Sequence, residues 1–249
     1  MKKQDVVASV CRGTCRDRCR EPDNPILGPR RDIPAPDVNT DAQVMAWMAD
    51  TARMLQDKAT MEIVTGKPIP LGGSQGRKEA TRRGVGLATR GLLKRKGRQP
   101  SDTTVAVQGY GNVGSATAAM LHQMGCKIVA VSDISGGLYN PRGLDIASIN
   151  RHAAVHPGRL LEGYEPPGVE RISNDQLLTS DVDVLIPAAL EHQIHAENAS
   201  YVRAKTIVEA ANGPTTPEAD EILNDRGISV VPDILAKVGG AVYIRGILS

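Results

Sequence analysis

A chain of 249 residues with 30 basic and 28 acidic side chains carries a formal net charge of +2, which excludes bulk charge as an argument for a nucleic-acid partner. No stretch approaches the roughly 18 consecutive apolar residues of a membrane span, and the charged N-terminus has no apolar signal core, so the expected setting is cytoplasmic, with no membrane partner. One Trp, five Tyr and no Phe leave the core to aliphatic side chains, and the length allows one large domain or two small ones at about 100–200 residues each.

Residues 1–31 mix Cys, Arg, Pro and Asp without a sustained apolar period, the composition of a weakly structured leader. Cys11, Cys15 and Cys19 recur at a spacing that aligns them on one helix face. Structural metal sites carry paired C-x2-C units instead, so free thiols and no metal are expected. Further on, Thr40 and Gln43 form a capping-box pair ahead of Val44, Trp47, Met48, Thr51 and Leu55 on one face, which predicts a helix over 40–57. The glycine-rich turn Leu71-Gly72-Gly73-Ser74-Gln75-Gly76 then leads into a basic helical run over 77–96, with Ala80, Leu87, Ala88 and Leu92 facing inward.

From Asp102 onward, short β-branched runs alternate with helical segments, the pattern of βαβ units and a parallel sheet. Strands are predicted at 104–108, 127–132, 182–186, 206–208 and 228–231. Each is almost wholly apolar, as strands covered on both faces must be. Cys126 precedes the second of them as a core residue. Thr215 and Thr216 followed by Pro217 and three acids mark a helix start with proline at its first position. The fold class is therefore α/β, a Rossmann-type doubly wound parallel sheet.

Gly109-Tyr110-Gly111-Asn112-Val113-Gly114 matches G-x-G-x-x-G, a weak signal alone. Here it follows a strand, opens a helix carrying Ala116, Ala118, Met120 and Leu121, and is succeeded by a second strand ending at Asp133. In that context Gly109 allows the tight turn, Gly111 lets the backbone approach a pyrophosphate, and Gly114 permits close helix–strand packing, while the amides of Asn112 and Val113 lie at the helix N-terminus that faces the phosphates. Asp133 stands 24 residues after Gly109, where an acid accepts from the adenosine ribose hydroxyls. This leans towards NAD. Ser132 and Ser135 beside it keep NADP as the second candidate.

Three further runs are individually unusual: Asp32-Ile33-Pro34-Ala35-Pro36-Asp37-Val38-Asn39-Thr40-Asp41, Gly72-Gly73-Ser74-Gln75-Gly76-Arg77-Lys78-Glu79-Ala80-Thr81, and Ala211-Asn212-Gly213-Pro214-Thr215-Thr216-Pro217-Glu218-Ala219-Asp220. With the glycine motif, and in this order, they resemble the glutamate dehydrogenase family, whose members act on Glu, Leu, Phe or Val; the likeness spans residues 26–240. The resemblance implies oxidative deamination of an L-amino acid, most simply glutamate to 2-oxoglutarate and ammonia. Hydride passes from the α-carbon to the nicotinamide, and the imine is then hydrolysed. By the same resemblance Asp37 is the catalytic carboxylate, Arg77 lies near the substrate carboxylate, Thr81 bonds the nicotinamide amide and Asn212 lies beside the nicotinamide ribose. The division it implies is a leader at 1–31, a remnant of the substrate domain at 32–66 and the dinucleotide-binding domain at 67–249.

The sequence departs from that family at both ends. A glycine-rich segment with the lysine that activates the imine precedes the Asp37 motif in the family, and neither Lys2 nor Lys3 sits in such a setting. Loss of that lysine removes electrostatic stabilisation worth several kcal/mol. Arg82 replaces a glycine beside Thr81. At the far end Lys237 stands where the family has asparagine, and Ile244 where it has a substrate-contacting serine. The reading is thus a glutamate dehydrogenase cut short at both ends, with a small amino-acid substrate, low or no turnover alone, and a homo-oligomer or a complementing chain as partner. The competing reading is an NAD-binding module without turnover.

Overall fold

A computed structural model describes residues 33–36, 40–55, 61–74 and 77–237. Asp37, Cys11, Cys15, Cys19 and Ile244 lie outside them, as do the side chains of Arg77, Thr81 and Arg82. The chain divides into two compact units, Met1–Lys78 and Glu79–Ser249.

In the first unit, helix α1 spans Ala42–Leu55. Its cap is formed one residue later than the sequence pattern suggests: Asp41 Oδ1 accepts from the N–H groups of Gln43 at 2.9 Å and Val44 at 3.0 Å. That choice suits an N-terminus, where a carboxylate meets both orphan donors and the positive end of the dipole. The buried face is rotated too. Met45 and Ala49 are its most enclosed residues, and with Val44, Met48, Ile63 and Val64 they form a small core flanked by Trp47 and Ala52. In the glycine-rich turn, a Cβ at Gly73 would stand 1.9 Å from the Lys67 carbonyl oxygen, so glycine is required there by the chain's own backbone.

The second unit carries helix α2 (Arg77–Arg95) and then a run of strands and helices: β1 (Thr104–Gln108), α3 (Gly114–Gln123), β2 (Lys127–Asp133), β3 (Gly136–Tyr139), α4 (Ile146–Val155), β4 (Glu170–Ile172), α5 (Asn174–Leu178), β5 (Val184–Pro187), α6 (Ala196–Ala199), β6 (Thr206–Val208), α7 (Pro217–Asp225), β7 (Ser229–Val231) and α8 (Asp233–Ala236). The strands form one sheet in the order β4-β3-β2-β1-β5-β6-β7. Neighbours from β2 through β7 are parallel. The wholly parallel expectation is corrected at the far edge, where β3 is antiparallel to both β2 and β4.

Side-chain alternation explains why these runs are strands. Val105, Val107, Ile128, Val131, Val184, Ile186 and Val208 enter one core, with Val85 and Leu93 of α2, Leu121 of α3 and Ile149 of α4. Ala106, Ala130, Leu185 and Ile207 enter the other, with Leu177, Ala199 and Leu223 from α5, α6 and α7. Buried, mostly apolar residues split between two faces, with a period of two interrupted at Val129 in β2 where the pairing to β1 shifts register, make the middle layer of a three-layer α/β unit. Cys126 is buried at 2% exposure. Leu87, expected inward, is 48% exposed; the inner face of α2 runs through Ala80, Val85, Thr89 and Leu93, and Gly86 lies so close to Met120 of α3 that a Cβ would meet its sulfur at 2.4 Å.

Candidate dinucleotide site

The sequence order of strands reverses at β1: β2 lies on one side of it and β5 on the other. Connections leave the C-terminal ends of β1 and β5 in opposite directions, and such a switch point opens the crevice in which α/β sheets hold ligands. The glycine-rich loop occupies this place.

Its three glycines do different work. Gly109 has φ +87°, and a Cβ there would meet the backbone of Ala188 and Ala189 at 2.8 Å; the loop after β1 is pressed against the loop after β5. At Gly114 a Cβ would be 1.7 Å from the Gly109 carbonyl oxygen, so α3 starts as close to β1 as a backbone allows. At Gly111 a Cβ would meet nothing within 4 Å. Nothing among the described residues demands glycine at that position, and the space beside it is open.

Helix α3 begins without a side-chain cap from Val113. Ser115 donates to the Gly111 carbonyl through N at 3.0 Å and Oγ at 2.6 Å. The N–H groups of Asn112, Val113 and Gly114 donate to no partner among the described residues. Those orphan donors and the positive dipole end make an anion site. Tyr110, in the middle of the motif, is buried and its hydroxyl donates to Asn150 Oδ1 at 2.8 Å. Burial, reinforced by Tyr164, pushes its phenol far above the ordinary range, so the loop is pinned by a neutral donor.

Asp133 ends β2 beside the loop. Its Oδ1 accepts from Ser135 N at 2.7 Å and Ser135 Oγ at 2.6 Å, and its Oδ2 accepts from Leu161 N at 2.6 Å. The carboxylate therefore braces the β2–β3 hairpin and the loop after α4. Oδ1 thereby fills both of its acceptor positions, and Oδ2 retains one. Ser135 is turned onto Asp133, and Ser132 is 1% exposed with its hydroxyl donating to Asn174 Oδ1 at 3.2 Å. Under the glycine loop this forms a polar floor that sequence reasoning missed: Gln108 Nε2 donates to Asn174 at 3.2 Å and to Gln193 at 2.7 Å. A glutamine closing an otherwise apolar strand was the available signal.

Across the crevice, the loop after β6 carries Asn212. Ala210 and Ala211 donate to the Pro187 carbonyl at 3.0 and 2.9 Å, and Gly213 N donates to Asp233 Oδ2 at 3.3 Å. Asn212 is exposed, and its Oδ1 accepts a hydrogen bond from Lys237 Nζ. Glu209, 6% exposed, accepts from Asp233 N at 2.9 Å and ties the loop to α8. Gly109, Gly111, Asn112, Val113 and Gly114 follow the C-terminal end of β1, Asp133 closes β2, and Asn212 lies in the loop after β6, so all stand at the same end of the sheet.

The chain as a whole is similar to known proteins. The family model described as Glutamate/Leucine/Phenylalanine/Valine dehydrogenase matches residues 72–245, and the model described as Glu/Leu/Phe/Val dehydrogenase, dimerisation domain, matches residues 4–54. A glutamate dehydrogenase of Thermotoga maritima is 56% identical over 216 residues, covering 86% of this chain and 51% of that protein. A catabolic NAD-specific glutamate dehydrogenase of Bacillus subtilis is 45% identical and an NADP-specific one of Synechocystis 48%, each over 86% of this chain and 50% and 51% of their own length. The crystal structure of the hetero-hexameric glutamate dehydrogenase of Thermus thermophilus, in a leucine-bound form, superposes with a TM-score of 0.78 at 33% identity, over 98% of this chain and 53% of its own. The chain spans about half the length of the curated relatives it matches. Among the described residues no helix is long and apolar enough to cross a membrane.

Proposed function

This chain belongs to the glutamate, leucine, phenylalanine and valine dehydrogenase family, and on that premise we propose that it serves NAD(P)-dependent oxidative deamination of an L-amino acid, glutamate to 2-oxoglutarate and ammonia, as the coenzyme-holding part of the enzyme. The observation that carries the reading is the open cradle at Gly111 beside three unpartnered helix N–H groups at the sheet's switch point.

The bound dinucleotide supplies the hydride acceptor. The chain's own residues hold it. Gly111 admits the pyrophosphate against the backbone, and the N–H groups of Asn112, Val113 and Gly114 donate to its oxygens, which suits a doubly charged group at a helix N-terminus. Asp133 retains one acceptor position, on Oδ2, for a ribose hydroxyl of NAD, whereas a 2′-phosphate would meet a carboxylate braced in place and no free serine hydroxyl. NAD is therefore favoured over NADP. Asn212 is the contact to the nicotinamide ribose and Thr81 to the carboxamide. On the substrate side, Arg77 suits the α- or side-chain carboxylate through its planar fork. Asp37 exchanges protons with the substrate amine, a task that needs a carboxyl tuned towards the working pH. A homo-oligomer in the cytoplasm completes the proposal, in keeping with the dimerisation-domain match.

Calorimetric titration of the purified chain with NAD and NADP, followed by a glutamate deamination assay on the same sample, tests this. Saturable NAD binding is expected, with NADP weaker. Binding without turnover would leave the coenzyme-holding role standing, and no binding of either coenzyme at millimolar concentration would sink the site itself.

A further inference from the structure

At the opposite end of the strands, by the N-terminal ends of β1, β5, β6 and β7, lies a cavity of about 380 Å³ lined by Leu92, Leu93, Lys96, Arg98, Asp183, Val184, Lys205 and Thr206. A five-residue strand separates this end from the glycine loop, a distance of about 15 Å. Three cations share it with one carboxylate. Asp183, 8% exposed, is taken up: Oδ2 accepts from Thr104 N at 2.9 Å and Thr104 Oγ1 at 3.1 Å, Arg98 Nη2 lies 2.9 Å from Oδ2 and Lys205 Nζ 2.8 Å from Oδ1.

Two positive charges are left over. Lys96 Nζ donates to Thr206 Oγ1 at 2.7 Å and Ser229 Oγ at 3.3 Å, and no carboxylate of the described residues lies within ion-pair distance of it. Hydroxyl partners fix its position without neutralising it. Arg98 adds a second sign of incompleteness: its Nε is buried and has no hydrogen-bond partner, an arrangement that folded proteins rarely leave unexplained. Thr206 is 2% exposed, and having accepted from Lys96 its hydroxyl still has a proton to donate. Surplus charge, an orphan guanidinium donor and hydroxyls around one cavity suit an anion with several oxygens better than a planar carboxylate with two. The volume is at the small end of the range for ligand pockets, about 300–1,000 Å³, and Leu92, Leu93 and Val184 offer an apolar wall.

We propose that this cavity is a second ligand site, which takes the phosphate group of a small phosphate ester through Lys96, Arg98 and Lys205, apart from the dinucleotide crevice.

The probes are inorganic phosphate, phenyl phosphate and benzoate, titrated into the isotope-labelled full chain at constant ionic strength, with backbone amide shifts as the readout. Saturable shifts at Thr104, Lys205, Thr206 and Ser229 with phenyl phosphate, weaker ones with phosphate and none with benzoate support the site. Phosphate and phenyl phosphate binding equally would assign it to free phosphate. Lys96→Met, which unpairs no carboxylate, is expected to weaken binding about tenfold, the loss of one charge-assisted hydrogen bond, with NAD affinity unchanged. Gly111→Ala should do the reverse, so that failure of the dinucleotide site and failure of this one are separable. Shifts confined to the glycine loop, an equal response to benzoate, or unaltered affinity in a folded Lys96→Met protein would overturn the proposal. Should that variant not fold, the wild-type shift map decides alone.

Discussion

An added methyl group separates the loop glycines into those the protein's own backbone needs and one it does not. Gly114→Ala drives a Cβ to 1.7 Å from the Gly109 carbonyl, and α3 has to leave the sheet to accommodate it; unfolding of the Glu79–Ser249 unit at lower denaturant is expected, by several kcal/mol in the manner of severe overpacking. Gly111→Ala meets nothing, so its stability should stay within about 0.5 kcal/mol of wild type while NAD affinity falls at least about tenfold, the backbone no longer reaching the pyrophosphate. Chemical denaturation and calorimetry on the two variants check the pair, and equal destabilisation of both would contradict it. Asp183 is a residue of the other kind, structural through charge. Burial works to raise its carboxyl, but hydrogen bonds from Lys205 and Thr104 and the charge of Arg98 outweigh that and hold it below the ordinary 3.8. A folded value below the unfolded one means the stabilisation is complete above pH 3.8 and is lost as pH falls from there through the folded value. Asp183→Asn should therefore be less stable than wild type at neutral pH, by about 2 kcal/mol, and the gap should narrow on acidification below that point. Thermal unfolding followed across the acid range measures it, and a gap independent of pH would be inconsistent with the ionised role.

Helix α7 is the element in which local sequence and structure agree most closely. Thr216 Oγ1 accepts from Ala219 N at 3.3 Å, Pro217 takes the first helical position, and Glu218 and Asp220 occupy the first turn, each as the capping pattern foresees. Thr216→Ala is expected to cost about 1 kcal/mol, with Thr216→Ser recovering most of it; no loss in the alanine variant would mean that tertiary packing alone holds the helix start. Strands β1 and β6 fall on their predicted residues, and β2, β5 and β7 within two residues at either end, because fully buried parallel strands announce themselves as unbroken apolar runs. β3 and β4 were not legible. Gly136-Gly137-Leu138-Tyr139 and Glu170-Arg171-Ile172 carry little β propensity, and they are strands because Asp133 turns the chain through Ser135 and pairs Asp133 with Gly136. The same distant pairing hid the work of Asp133: its partner Leu161 is remote in sequence, and no spacing rule reaches it. The glycine motif was legible because its demands are local, whereas the Gln108, Asn174 and Gln193 floor draws on the end of β1, the start of α5 and the loop after β5. The face of α2 was misread at Leu87 because a run rich in Gly84, Val85 and Gly86 packs through its small residues, and an apolar count overlooks glycine as an inward residue.

For the molecule as a whole, two units with separate cores offer two separate reporters. Trp47 is the sole tryptophan of the chain and packs against the core of α1 in the Met1–Lys78 unit, whereas all seven strands belong to the Glu79–Ser249 unit. A ligand that binds only the folded state stabilises it by mass action, by about 2.7 kcal/mol at a hundredfold excess over Kd. For a domain of this size that corresponds to roughly 5–10 °C in the unfolding midpoint. NAD should therefore raise the transition seen by far-ultraviolet circular dichroism, which the sheet and its helices dominate, and Gly111→Ala, with a roughly tenfold weaker Kd, should cut that rise by about half or more without lowering the midpoint of the free protein. Tryptophan fluorescence recorded in the same melts then tells whether the α1 core follows. A fluorescence midpoint that moves with the circular dichroism signal means the two units unfold as one, and a stationary one means that coenzyme energy stays in the unit that binds it. A dichroism midpoint indifferent to saturating NAD would remove the ground for assigning the glycine loop to a dinucleotide, whatever the family resemblance of the chain.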